Sequence, residues 1–448
     1  MTSAVAGATR ELRVRVQGAA CRVNVERGEC CGVWGGHGFR LIVNPIDKYP
    51  CLTQNIPVIR RSIEKHLRQI ARHQPVVTLT GPRQSGKTTL AKVVFRGKSY
   101  VSLESLDTRE FASSDPRRFL AEYAQGAIID EVQRAPDLLS YLQEEVDSDP
   151  SPGRFILTGS QNLQMIRKVS QSLAGRTALV TLLPCERREV ERFPVVPDDL
   201  FESMLIGGYP AIHDRRVPAS KWIADYVVTY LERDVRDLLG VGDLGAFQRF
   251  VRLAAGRASQ VTNFAALGAD AGISHNTASA WLSVLEASYL VYRLPAFFRN
   301  VGKRLVKAPK VLFTDSGVLC YLLGISTRDQ LVQHPLRGAV FETWVIGEVL
   351  KARLAAGLTP NLYYYRDHHG TEVDLVIEDA DTVTLVECKS GATVGADFFS
   401  GLDKVAAIVE ASGVSRKVQR LVIYGGDASQ SRSSGRVVPW HKAASIAI

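Results

Sequence analysis

Apolar residues in this chain are grouped in two ways, and the grouping changes along its length. From Pro75 onward short continuous apolar runs alternate with amphipathic stretches. Val76-Val77-Thr78-Leu79-Thr80, Ser99-Tyr100-Val101-Ser102-Leu103, Ala127-Ile128-Ile129-Asp130 and Arg154-Phe155-Ile156-Leu157-Thr158 read as strands. Runs apolar on both faces suit a parallel sheet covered by helices on each side. A helix is expected from about Lys87, which makes residues 75 to about 195 an α/β domain. An amphipathic helix over residues 62–72 precedes it. Residues 200–335 are dominated by helical patterns, with good candidates at 224–239 and 244–255. After 336 the pattern is mixed, with a helix at 341–354 and strands at 362–365, 372–377 and 384–389. The Ser/Arg-rich stretch 429–436 reads as a loop, and no internal repeat is present. The first 55 residues, rich in Gly, Arg and Cys, show no sustained period and read as a poorly ordered extension.

Length supports this division. At roughly 150 residues per domain, 448 residues predict three domains. The expected boundaries are 56–200, 201–335 and 336–448, with 1–55 set aside. A composition 46% hydrophobic and 23% charged excludes a wholly disordered chain and a collagen-like repeat. The formal charge of +9 permits nucleic-acid binding without arguing for it. Seven cysteines are scattered, with no CxxC pair matched by a second, which fits a reducing cytosol and offers no zinc site. No apolar run approaches the roughly 18 residues of a membrane span, and no signal peptide is visible. A cytoplasmic protein without membrane contact is expected.

The strongest chemical signal is Gly81-Pro82-Arg83-Gln84-Ser85-Gly86-Lys87-Thr88, which fits G-x-x-x-x-G-K-[ST] between an expected strand and helix. Glycines let backbone N–H groups turn inward around phosphate, and the helix N-terminus adds positive dipole. Lys87 should contact the β- and γ-phosphates, and Thr88 should ligate Mg²⁺. A second strand must supply an acid, and Asp130-Glu131 ends such a strand 43 residues after Lys87. Asp130 would hold Mg²⁺ through water, and Glu131 would polarise the attacking water. The strand ending at Thr158 should lie between these two motif strands, so Ser160 or Gln161 could sense the γ-phosphate. An ordinary strand-to-loop turn is the competing reading of both.

With these residues in place, residues 56–425 resemble a widespread prokaryotic family that joins an AAA-type P-loop ATPase to a C-terminal domain of unknown function. The resemblance is carried by Leu79 through Thr89, Ile129-Asp130-Glu131-Val132-Gln133, Leu157-Thr158-Gly159-Ser160, Ser172-Leu173-Ala174-Gly175-Arg176 and Tyr230-Leu231-Glu232-Arg233-Asp234-Val235. It implies a parallel-sheet P-loop fold and ATP as the nucleotide, bound by Gly81 through Thr89. Arg176 is the candidate for an arginine that neutralises γ-phosphate charge, in cis or from a neighbouring copy in a homo-oligomer. A surface salt bridge is the alternative.

Further on, Val261 to Leu282 reads as a helix, a tight turn at Gly272 and a second helix capped by Ser274, with a strand near 288–293. This resembles a winged helix-turn-helix, in which His275, Asn276 and Ser279 would start the recognition helix. That helix is not basic, so DNA reading and a packing role stand level. The stretch from Arg299 to Lys310 carries five basic residues and no acid, which suits phosphate contact or a solvated hairpin edge. In the last domain Glu342 opens a helix, Asp374 lies on a strand, and Glu387-Cys388-Lys389 ends another strand thirteen residues after Asp374. This resembles the restriction-endonuclease-like D…(D/E)xK fold. There Asp374 and Glu387 would hold Mg²⁺ with Glu342 as the helix acid, and Lys389 would orient the nucleophile or offset charge on the phosphate. A structural salt-bridge cluster is the competing reading.

The expected whole is an ATPase, using ATP and Mg²⁺, that couples its nucleotide state to DNA binding or cleavage by the C-terminal region. The alternative is a regulatory switch or remodelling ATPase that binds protein partners and carries an inactive nuclease-like domain.

Overall fold

The computed structural model describes residues 11–16, 19–24, 29–34, 37–42, 58–159, 172–215, 217–230, 243–297, 308–411 and 416–448. The chain divides into two units, Met1–Val58 and Ile59–Ile448. The first holds β1 (Glu11–Val16), β2 (Ala19–Asn24), β3 (Glu29–Trp34) and β4 (His37–Ile42), paired in chain order as an antiparallel meander. The sequence shows no sustained period over this segment. The strands follow short local alternations, such as Leu12-Arg13-Val14-Arg15-Val16, too brief to register as such a period.

The second unit begins with helix α1 (Glu64–Ile70) and a sheet of five parallel strands. These are β5 (Val76–Thr80), β6 (Ser99–Ser102), β7 (Ala127–Asp130), β8 (Phe155–Thr158) and β9 (Thr177–Thr181). Their order is β6-β7-β8-β5-β9, so β8 lies between β7 and the strand that leads into the glycine-rich loop, as the motif order requires. Helices α2 (Lys87–Val94), α3 (Leu106–Ser114), α4 (Pro116–Glu122) and α5 (Leu138–Ser148) cover the sheet. Every residue of β5, β7 and β8 is buried, which is what the continuous apolar runs imply.

The helical region follows α6 (Arg187–Val190) with α7 (Leu200–Ile206), α8 (Pro210–Arg215), α9 (Ala219–Tyr226), α10 (Leu244–Gly256), α11 (Phe264–Ala271) and α12 (His275–Ala287). Asn263 caps α11, Gly272 ends it in a left-handed conformation (φ 75°), and the Ser274 side chain accepts the Thr277 N–H to start α12. β10 (Val291–Leu294) and β11 (Lys310–Phe313) then pair antiparallel. The basic residues 299–307 lie outside the described residues.

After α13 (Ser316–Leu322) and α14 (Arg328–Gln333), the chain forms α15 (Arg337–Ala355) and a six-stranded mixed sheet. Its order is β12-β13-β14-β15-β17-β16, built from Leu362–Arg366, Glu372–Glu378, Thr382–Lys389, Lys417–Tyr424, Gly435–Pro439 and Gln430–Arg432 respectively. α15 packs on one face and α16 (Ser400–Glu410) on the other. The expected loop at 429–436 is instead a hairpin, with Arg432 paired to Gly435 and Gly435 at φ 152°. One hydrophobic core runs from Leu183 through the helical region to Ala447, so packing is continuous across the expected boundary at 335/336. Among the described residues no helix is long and apolar enough to cross a membrane.

Candidate nucleotide site and C-terminal acidic cluster

The glycine-rich loop leaves the C-terminal end of β5 and enters α2 at Lys87, so it lies at the C-terminal ends of the parallel strands. Gly81 is at φ 145°, and a Cβ there would overlap the Leu182 carbonyl oxygen. Gly86 is the left-handed residue (φ 93°) before the helix. Both are positions that only glycine fills at no steric cost. Arg83 is half-buried, and Gln84 on the loop and Thr89 in the first turn of α2 are exposed. Lys87 is buried, and its Nζ donates to the Gly81 and Pro82 carbonyls at 3.0 and 2.8 Å. Burial pushes its pKa down to about 8, against the opposing pull of Glu131 and Asp130.

Asp130 ends β7 beside this loop. Thr88 Oγ1 donates to both its carboxylate oxygens at 2.9 and 3.1 Å. Tyr100 donates its hydroxyl from β6 at 2.9 Å, and Thr158 donates from the end of β8. The carboxylate is therefore held by neutral hydroxyls from three directions. Tyr100, partly exposed beside it, has its own pKa raised to about 12, chiefly by desolvation and then by its bond to Asp130. Glu131 follows with a left-handed backbone (φ 57°, ψ 44°), and Gln133 donates its side-chain N–H to the Glu131 carboxylate. A non-glycine residue held in this conformation is a strain that a functional site can retain.

Beneath the loop lies a residue not evident from the motif. The Arg61 guanidinium is buried, donates to Ser85 O at 2.8 Å and Leu183 O at 2.9 Å, and pairs with Glu189 at 3.0 Å. Ser62 N–H also donates to Glu189, at 2.6 Å. Arg61 thus ties the segment before the sheet to the loop backbone and to α6. Thr158, Tyr100 and Arg61 reach the site through strand register and packing, which spacing along the chain does not reveal.

Arg176 is not at this site in its own chain. Its carbonyl accepts the Val76 N–H, which sets it at the start of β5 and β9, the opposite end of the sheet. A five-residue strand spans about 16 Å, too far for a guanidinium to cross. Its side chain pairs with Asp147, Nη2 to Oδ2 2.9 Å, at the surface. This is the surface salt bridge that stands as the alternative reading of Arg176, and a role at the γ-phosphate would need a neighbouring copy. Ser160 and Gln161 lie outside the described residues.

The C-terminal sheet gathers the other predicted acids. β13 and β14 pair from Glu378↔Val383 to Leu375↔Val386, and β13 carries a bulge against β12 between Tyr363 and Tyr365. Beyond that pairing the Asp374 carboxylate accepts the Cys388 N–H at 2.8 Å, so a side chain serves where the ladder has stopped. Glu387 and Lys389 share a face of β14 and pair at 2.5 Å. Glu342 comes from α15. Two residues join that the D…ExK spacing does not show, Lys310 from β11 and Glu372 from β13. Lys310 Nζ lies 2.8 Å from Glu342 Oε1 and 2.7 Å from Glu372 Oε1, and its side chain is 1% exposed. Burial opposes the charge on Lys310, but Glu342, Asp374 and Glu372 outweigh it and raise its pKa. Burial and mutual repulsion raise Glu342, Asp374 and Glu387, the last to about 7.

The middle region meets the loop where the Arg83 guanidinium lies over the Tyr230 ring, 5.8 Å from its centre, and again just before Gly81. Tyr289, at φ 53° between α12 and β10, bonds through its hydroxyl to Thr80 Oγ1 at 2.8 Å, one residue before Gly81. His275 and Asn276 are exposed at the start of α12, with Ser279 half-buried.

Residues 73–191 match the family model described as AAA domain. Residues 197–329 and 337–443 match two domains of unknown function, DUF8612 and DUF4143. The uncharacterized protein Rv2008c of Mycobacterium tuberculosis is 33% identical over 363 residues, covering 78% of this chain and 79% of its own length. The uncharacterized protein Mb2031c of Mycobacterium bovis matches to the same extent. Among solved structures, the Walker-type ATPase Paby2304 of Pyrococcus abyssi is 16% identical with a TM-score of 0.40, covering 59% of this chain and 95% of that one. With a third of its residues shared over most of both chains, this protein belongs to the same family as the two mycobacterial proteins, and its β5–β9 region is an AAA-type P-loop ATPase domain.

Proposed function

We propose that the chain hydrolyses ATP with Mg²⁺ and uses its nucleotide state to control how the helical and C-terminal regions engage DNA. The observation that carries the ATPase part is the convergence of Lys87, Thr88 and Asp130 at one end of the parallel sheet. The donor set fits the cofactor. Gly81 and Gly86 form a cradle that a Cβ would fill or strain, and Asp130 with Thr88 supplies hard oxygen donors without a competing cation. Bound there, Mg²⁺ would offset charge on the phosphates. Lys87 would exchange the Gly81 and Pro82 carbonyls for phosphate oxygens. Glu131, steadied by Gln133, would orient and polarise water. Arg176 of a neighbouring copy would complete the site in a homo-oligomer.

Coupling is supported by the Thr80–Tyr289 hydrogen bond, which joins the root of the loop to the β10–β11 hairpin. DNA engagement is supported by the three helices and hairpin of residues 244–313, a winged-helix-like arrangement with His275 and Asn276 exposed. ATPase rates measured with and without Mg²⁺ and duplex DNA test the reading. Mg²⁺-dependent turnover stimulated by DNA is expected. Turnover that DNA does not stimulate, with no salt-dependent DNA binding, would select the second reading, a switch or remodelling ATPase for protein partners. The pairing of Lys310 with Glu342 and Glu372 favours that second reading over cleavage by the C-terminal domain.

A further inference from the structure

A divalent cation at a nuclease-type cluster needs several oxygen ligands, and an ammonium hydrogen-bonded to those same carboxylates competes with it for them. Mg²⁺ in particular requires near-octahedral oxygen coordination. The acids of the C-terminal cluster have other occupants. Glu342 Oε1 accepts from Lys310 at 2.8 Å, Glu372 Oε1 from Lys310 at 2.7 Å, Glu387 Oε1 from Lys389 at 2.5 Å, and Asp374 Oδ2 from the Cys388 N–H at 2.8 Å. Among the described residues, no group of three or more His, Cys, Asp and Glu side chains is placed to hold a metal ion.

Lys310 cannot readily leave. It is the first residue of β11, paired with Leu294, and its side chain is all but inaccessible. Its Nζ also lies 5.5 Å from the centre of the Tyr364 ring, whose hydroxyl donates to Ala308 O at 2.6 Å. A buried ammonium paired with two carboxylates is held there, because removing either partner strands a charge away from water.

We propose that Lys310 is the resident cation of this cluster, holding Glu342 and Glu372 beside Asp374 in place of a divalent metal. The C-terminal domain then keeps the acids of a nuclease-type site but not its metal chemistry. Its Lys310 joins the β10–β11 hairpin to the C-terminal sheet as a fixed ionic clamp. This does not depend on the ATPase reading, since the decisive measurement is made without nucleotide.

The test is Mn²⁺ binding by the full chain, followed by electron paramagnetic resonance and calorimetry. An Asp130→Asn background removes the cation seat at the loop. The Asp130→Asn protein is expected to bind no Mn²⁺ in the millimolar range. Adding Lys310→Met is expected to create one site, binding at least about tenfold tighter once the ammonium's repulsion is gone. A further Asp374→Asn substitution should abolish it. One equivalent of Mn²⁺ bound with Lys310 in place, and lost on Asp374→Asn, would overturn the proposal. So would a folded Lys310→Met protein with no gain in Mn²⁺ affinity. Should Lys310→Met not fold, Lys310→Gln tests the same point while keeping a hydrogen-bond donor. The metal-binding measurement on the Asp130→Asn chain stands without either.

Discussion

The loop site and the C-terminal cluster use the same residue types, acids with a buried lysine, and arrange them in opposite ways. At the loop, Lys87 turns onto backbone carbonyls of its own motif, and Asp130 is held by the hydroxyls of Thr88, Tyr100 and Thr158. No lysine or arginine pairs with Asp130 among the described residues. In the cluster, Lys310 lies directly on the acids. Neutral donors orient a carboxylate and leave its charge available to a cation. A lysine orients it and consumes the charge. Counting acids and lysines in a motif therefore does not decide whether a site takes metal, whereas the partner of each acid does.

The largest effect expected is at the buried ion pair that supports the loop. Arg61→Met leaves Glu189 buried beside Glu186 with its ionic partner gone, and breaking such a pair costs about 3–5 kcal/mol of stability. Chemical denaturation would measure it. The loss should shrink below the ordinary glutamate pKa. The folded pKa of Glu189 is depressed, since burial raises it but Arg61 and the Ser62 and Glu186 N–H groups lower it further. Stability from that pair is present above the unfolded pKa and lost as pH falls through the folded value. A loss that stays constant down to about pH 3 would show that Arg61 acts through packing alone.

Next is the contrast between the two lysines of the motifs. Lys87→Ala should weaken ATP binding by roughly 2–3 kcal/mol, about a hundredfold, the scale of lost charge-assisted bonds to phosphate. Lys389→Ala should leave ATP binding unchanged. Retained wild-type affinity in the Lys87 variant, by calorimetry, would break the assignment of the loop.

The pH profile of binding sharpens the same contrast. Below about pH 8 Lys87 is already protonated in the free protein. Above it, binding a phosphate must draw a proton onto the amine. ATP affinity should then fall about tenfold per pH unit, or about 1.4 kcal/mol, until the bound-state pKa is reached. Calorimetry at about pH 9 in buffers of different ionisation enthalpy should report proton uptake approaching one. Affinity that stays flat between about pH 7.5 and 9.5 would mean that Lys87 is charged throughout.

How much of each region is readable in the sequence follows from how it is built. The loop is a contiguous stretch whose glycines answer to backbone conformation, so the spacing of Gly81 through Thr88 is enough to announce it. Asp130 is legible as the polar end of an apolar run, and the place of β8 follows from the order such motifs impose. Tyr100 and Thr158 are not, because they meet Asp130 only through the register of neighbouring parallel strands. In the cluster Asp374, Glu387 and Lys389 lie on paired strands and are legible as a pattern. Lys310 lies in what reads as a basic stretch, 32 residues before Glu342, and enters only because β11 packs against α15. Arg176 misleads for the converse reason. It adjoins a family-like motif, but β9 starts at the end of the sheet where the loop is not.

The smallest effect concerns the hydrogen bond that joins the root of the loop to the segment between α12 and β10. Tyr289→Phe removes the hydroxyl that bonds Thr80 and should cost about 1 kcal/mol of stability, the net worth of a typical hydrogen bond. The backbone of Tyr289 is left-handed, and Phe keeps whatever strain that carries, so the substitution isolates the bond. If the bond relays nucleotide state, basal ATPase should hold while stimulation by DNA or by a protein partner falls several-fold. If it is only a structural strut, stimulation and basal rate should stay in constant ratio as stability drops. Thr80→Val removes the same bond from the other side, together with the donation of Thr80 Oγ1 to Val180 O at 3.3 Å. Combining the two substitutions should therefore add nothing to Thr80→Val alone, since the Tyr289 hydroxyl has no separate share in the interaction. Losses that add in full would mean that each hydroxyl acts through a different neighbour, and the loop and the middle region would then have to communicate by another route.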